Sequence, residues 1–166
     1  MKQRSGFVSN SSSSSFIIGF VNDPTSKEAL AQEMQDCSPT GWYADDNVMT
    51  NEEIIDRVWN DLIDAGPATD AQVYKELSYY VPYNAVGKPE FKDFSNDKEG
   101  WAAYDRARNA FNEAYIAQHP EITKFLKDLK SKHVYIVSYA DDEGEGVLEH
   151  GDIFRNIESV IAVSHH

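Results

Sequence analysis

Four polar clusters in this sequence carry side chains that can do chemistry. Asp141, Asp142 and Glu143 follow an apolar segment, Glu149 and His150 come shortly after, and Ser164, His165 and His166 are the last residues. Near the start, Asn10 leads an unbroken serine run, Ser11 to Ser15. Carboxylates with imidazoles suit Zn, Mn or Fe, which makes Asp141, Asp142, Glu149, His150, His165 and His166 candidate ligands of a divalent metal. Serine hydroxyls and turn amides hold phosphate, so Asn10, Ser11, Ser12, Ser13 and Ser164 are candidate ligand contacts. A metal beside such a cradle fits phosphoester or nucleotide hydrolysis, with Asp141, Asp142 and His165 as candidate catalytic groups. A serine activated by His165 or His166 near Asp141 is the metal-free alternative. The bland reading competes with both. Carboxylates in a glycine-containing loop are ordinarily just solvated, and the spacing matches neither an EF-hand loop nor a His-Glu-x-x-His motif.

These clusters meet only if particular strands position them. Phe16 to Val21 reads as a first strand, His133 to Tyr139 as a second and Ser159 to Val163 as a third. Apolar residues on both faces of the second strand predict an inner position for it. If the last two strands are parallel and the first runs antiparallel beside them, the serine run, the acidic loop and the final histidines share one edge, where open sheets commonly bind ligands.

The segment between the first two strands is helical. Thr25 with Glu28, Thr50 with Glu53 and Thr69 with Gln72 fit capping boxes, and Pro120 suits a helix first turn. Ile54, Ile55, Val58, Trp59, Leu62 and Ile63 recur at helical spacing. A long helix is predicted from about Glu99 to Gln118, with Trp101, Tyr104, Ala107, Phe111, Ala114 and Tyr115 as its buried face. A short helix is predicted within Val147 to Asn156. The fold class is therefore α+β: a small mixed sheet built from both chain ends, with the helical middle packed mainly on one face. Residues 1–166 make a single domain, in which 1–15 is either a flexible segment or part of the site.

Composition narrows the partners. Acidic residues outnumber basic ones 28 to 15, a formal net charge of −13. Such a surface repels phosphate backbones and anionic membranes and attracts basic proteins. Cys37 is the lone cysteine, so no internal disulfide forms. No secretory leader pattern is present, no stretch approaches the roughly 20 apolar residues of a transmembrane helix, and a cytoplasmic location is expected.

The opening Gly6-Phe7-Val8-Ser9-Asn10, the serine run and Phe16 resemble the start of a broad set of uncharacterised bacterial and phage proteins. Ser138-Tyr139-Ala140-Asp141-Asp142-Glu143-Gly144, Leu148-Glu149-His150-Gly151 and Ser164-His165-His166 are similar to the ends of such chains. The resemblance implies that the two termini belong to one unit, and carries no activity. Three functions follow from the residues: an acidic protein-interaction module with a basic partner, a small metal-dependent hydrolase using the converged termini, or a substrate for modification at the serine run.

Overall fold

The computed structural model describes residues 13–45, 49–82, 84–140 and 146–165, except the side chains of residues 42 and 45. Its centre is a three-stranded sheet in the order β2-β1-β3. Strand β1 (Ser13–Phe20) is flanked by β2 (His133–Ala140) and β3 (Ser159–Ser164) and runs antiparallel to both. The two C-terminal strands are thus parallel to one another across the N-terminal one, and the sheet is assembled from both chain ends. Two expectations are corrected. Strand β1 begins three residues earlier than its apolar run, taking in Ser13, Ser14 and Ser15. The central strand is β1, and β2 lies at an edge. Helices cover both sheet faces, so even an edge strand carries apolar residues on both sides.

Between β1 and β2 come α1 (Lys27–Met34), the short α2 (Trp42–Asp45), α3 (Asn51–Ala65), α4 (Asp70–Leu77) with a 3-10 turn at Ser78–Tyr80, α5 (Lys98–Ala117) and α6 (Pro120–Leu129). A single-turn α7 (Gly146–His150) precedes β3. The starts of α3 and α4 carry the predicted capping boxes at Thr50–Glu53 and Thr69–Gln72. Helix α1 starts one residue later than its predicted box, with the Ser26 hydroxyl accepting from the Ala29 N–H. Gly66, at φ +66°, ends α3 in a backbone conformation that favours glycine.

The helical middle divides between the two faces rather than packing mainly on one. Alternation along β1 sends Phe16, Ile18 and Phe20 to one side, where they meet Leu30 and Met34 of α1, Ile54, Val58 and Leu62 of α3, and Leu148 of α7. Ile17 points the other way, into Val73 and Leu77 of α4, Ile116 of α5, and Ile122, Phe125 and Leu129 of α6. On this second side α6 crosses the sheet so closely that a Cβ at Gly19 would stand 2.6 Å from Leu129 Cδ2.

Helix α5 also departs from expectation. Its buried residues are Asn112 and Ile116, while Trp101 is 38 % exposed and Phe111 only half-buried. Trp101 and Tyr104 instead pack with Phe91 and Phe94 of the preceding loop, ring centroids 5.5–5.9 Å apart. An apolar stripe shows that a helix covers something; here a large part of the cover is a local aromatic cluster. No described helix is long and apolar enough to cross a membrane.

Candidate functional site at the serine end of the sheet

Because β1 opposes both neighbours, its first residues lie beside the last residues of β2 and β3. Ser13 stands opposite Ala140, Ser14 opposite Tyr139 and Ser164, and Ser15 opposite Ser138 and Val163. His165 prolongs β3, its backbone N–H donating to the Ser13 carbonyl at 2.9 Å. Ser13 to Ser15, the end of β2 and His165 therefore lie at one edge.

Side-chain alternation then splits this edge into two sites. On the α4 side, the hydroxyls of Ser15 and Ser138 share a hydrogen bond of 2.7 Å. Ser15 Oγ also lies 2.8 Å from His165 Nε2, and Glu76 Oε1 of α4 lies 2.7 Å from the same nitrogen. The Tyr79 ring packs against the imidazole, centroids 4.4 Å apart. Ser15 is 2 % exposed.

A serine, a histidine and a carboxylate in contact invite comparison with a nucleophilic relay. That relay needs the acid on one ring nitrogen and the serine on the other. Here both partners converge on Nε2. A proton on Nε2 is drawn to the Glu76 carboxylate, leaving no lone pair there to accept the Ser15 proton. The arrangement ties β1, β2, β3 and α4 together and does not activate Ser15.

On the opposite face, Ser14 Oγ donates to Glu149 Oε1 at 2.9 Å, and His150 Nε2 lies 3.3 Å from Glu149 Oε2. The Glu149 side chain is wholly covered. A covered carboxylate needs hydrogen-bond donors, and Ser14 and His150 supply them. Tyr43 stacks on His150, centroids 6.1 Å apart. Ser164, as the partner of Ser14, belongs to this face.

Glu149 and His150 therefore lie across the sheet from His165, and these three do not form one metal-ligand set. Among the described residues, no group of three or more His, Cys, Asp or Glu side chains could hold a metal. Asn10, Ser11, Ser12, Asp141, Asp142 and His166 lie outside the described residues. Sequence reasoning missed Ser138, Glu76 and Tyr79, and gave Ser15 no site role. Ser15 was within reach, since it is the last serine before Phe16 and so starts the apolar alternation. Glu76 carries no such signal: it is 89 residues from His165 on an otherwise ordinary amphipathic helix.

Elsewhere the ionisable groups serve local structure. The Ser38 hydroxyl and N–H, and then Arg155, hold Asp36 down at about 2. Arg155 reaches Asp36 Oδ2 at 3.0 Å and bolts the segment after α1 to the turn before β3. Burial, then a hydrogen bond of 2.7 Å to Asp23, pushes the Tyr135 hydroxyl up to about 12. Burial also raises the Cys37 thiol, which disfavours the thiolate and a nucleophilic role.

No family model matches the chain, and no curated protein or solved structure matches it.

Proposed function

We propose that this protein is an interaction module that presents the acidic α1–α3 side of its sheet to a basic protein partner. One observation carries the reading: charge is segregated by sheet face. From Asp23 to Asp64, the stretch containing α1 and α3, there are eleven carboxylates against two cations. Both cations are already engaged within the stretch, Lys27 with Asp56 at 2.7 Å and Arg57 with Asp61 at 3.1 Å. From Lys98 to Lys132, which forms α5 and α6 on the other face, seven cations stand against five carboxylates. The Asp23–Asp64 stretch alone supplies nine of the thirteen net negative charges, which would steer a basic surface toward this side. A host protein met by a phage-encoded chain is one such target, in keeping with the resemblance of the termini.

The reading is tested with immobilised protein against a library of lysine- and arginine-rich peptides and basic proteins. Association rates should fall steeply with salt. They should also fall about tenfold when Glu28, Glu52 and Asp64 are replaced by their amides. Neutralising Glu121 and Asp128 on the other face should change little. Equal loss from the two sets of variants, or binding indifferent to salt, would overturn the proposal.

A further inference from the structure

On the side of the sheet away from the acidic helices, α4 and α5 bury apolar residues only where they approach the sheet: Val73 and Leu77 on one, Ile116 on the other. Further along α5 the stripe spaced by four residues continues as Asn112, Arg108 and Tyr104. Between this stripe, α4 and the loop from Asn84 to Phe91 runs a groove of about 1100 Å³. Sites for small ligands span roughly 300–1,000 Å³, so the groove has ample room for one.

Its walls carry three features that suit one kind of molecule. The first is charge. In a chain of net −13 the groove gathers Lys75, Lys88 and Arg108, against the carboxylates of Glu90 and Glu113. The Lys75 ammonium has no hydrogen-bond or ion-pair partner among the described residues, and the side chain is exposed. Lys88 donates to the Val81 and Pro82 carbonyls at 3.3 Å each, which leaves its charge uncompensated. Arg108 pairs with Asp105 at 3.0 Å and lies 5.6 Å from the centre of the Tyr104 ring. The second feature is the flat apolar area of Tyr74, Tyr79, Phe91 and Tyr104 along the same walls. The third is Asn112. It lines the groove, is 6 % exposed, and its carboxamide oxygen has no hydrogen-bond partner among the described residues. Buried carboxamides are ordinarily satisfied, so an oxygen with no donor among the described residues is one that a bound molecule can satisfy.

The aromatic walls accept a planar ring, the cations accept a phosphate, and the carboxamide accepts an amine. A carboxamide pairs in two-point fashion with the amine and neighbouring ring nitrogen of adenine. Arg108 lies one helical turn, about 6 Å, from Asn112, so a single molecule reaches both. We propose that this groove binds an adenine mononucleotide, with its base toward Asn112 and its phosphate among Lys75, Lys88 and Arg108. The site is on the opposite face from the acidic helices and stands independently of the partner proposed above.

Calorimetry on the full chain tests this with three probes: adenosine monophosphate, adenosine and inorganic phosphate. Adenosine monophosphate should bind, with adenosine and phosphate each at least about tenfold weaker. The double substitution Lys75→Ala and Lys88→Ala should weaken the mononucleotide about tenfold and leave adenosine unchanged. Asn112→Leu, of similar volume, should abolish the preference for adenosine monophosphate over inosine monophosphate. Should that variant fail to fold, the lysine pair, whose side chains lie outside the core, decides the matter. Absence of heat with adenosine monophosphate at millimolar concentration, or an unchanged affinity in the lysine variant, would overturn the proposal.

Discussion

The two faces of the sheet are built from alternate residues of the same strand, yet one is sealed and the other is open. Among the described residues, eighteen buried apolar side chains form one continuous cluster on the α1–α3 side, against eight on the α4–α6 side, so more of the fold's stability resides on the first face. Its surface is left to carboxylates. The second face seals only where α4, α5 and α6 touch the strands. Above that, Tyr74, Tyr79, Phe91 and Trp101 stay exposed beside a groove that holds three cations. A thick core with a charged exterior supports a scaffold and a docking side. A thin core beneath an aromatic, cationic groove offers a place for a small ligand.

The comparison breaks or sharpens with substitutions on each side, measured by chemical denaturation. Phe20→Ala removes a fully buried ring from the larger cluster and should cost about 3–5 kcal/mol. If Ile17→Ala on the second face costs as much, the asymmetry is wrong; about 2–3 kcal/mol is expected there, because the thinner layer has more room to relax. Gly19→Ala presses a methyl against Leu129 and should cost about 1–3 kcal/mol, by overpacking the one place where α6 sits closest to the sheet. Phe111→Ala should cost only about 1 kcal/mol. A fully buried ring would cost about 3–5 kcal/mol, but Phe111 is half-buried and packs on Tyr115 at 6.3 Å.

The smallest effect is electrostatic and belongs to the sealed face. Asp36 is lowered from the ordinary 3.8 to about 2 by its Ser38 contacts and Arg155. A lowered carboxylate contributes stability above its unfolded value, and that contribution is lost as pH falls through the folded value. Asp36→Asn should therefore reduce the unfolding midpoint slightly near neutral pH. The gap to wild type should close between about pH 4 and pH 2. A gap independent of pH across that window would mean that the bond to Arg155 acts by geometry alone.

Much of the frame was legible because its signals are local. Thr50 and Thr69 with the acid and the amide three residues on, and Pro120 at a helix start, each act within one turn of chain. The Phe16–Phe20 alternation and the strand patterns near the C-terminus likewise needed no distant partner to be read. The edge where Ser13, Ala140 and Ser164 meet followed from strand direction alone, once the outer strands were taken as parallel.

What the sequence by itself determined, then, was most of the elements and the sheet made from both ends; the edge shared by serines and histidine followed only once the strand directions were assumed. Tertiary structure alone decided the rest, because each remaining question depends on residues far apart in the chain. Pleating divides Ser14 from Ser15, so Glu149 and His150 answer one serine while His165, Ser138 and Glu76 answer the other. The position of β1 between its neighbours made β2 an edge despite its two apolar faces. Helix α5 carries a periodic stripe whatever it faces. Only the placement of α4 and of the loop between α4 and α5 made a neighbouring face of that helix, Tyr104, Arg108 and Asn112, the wall of a groove.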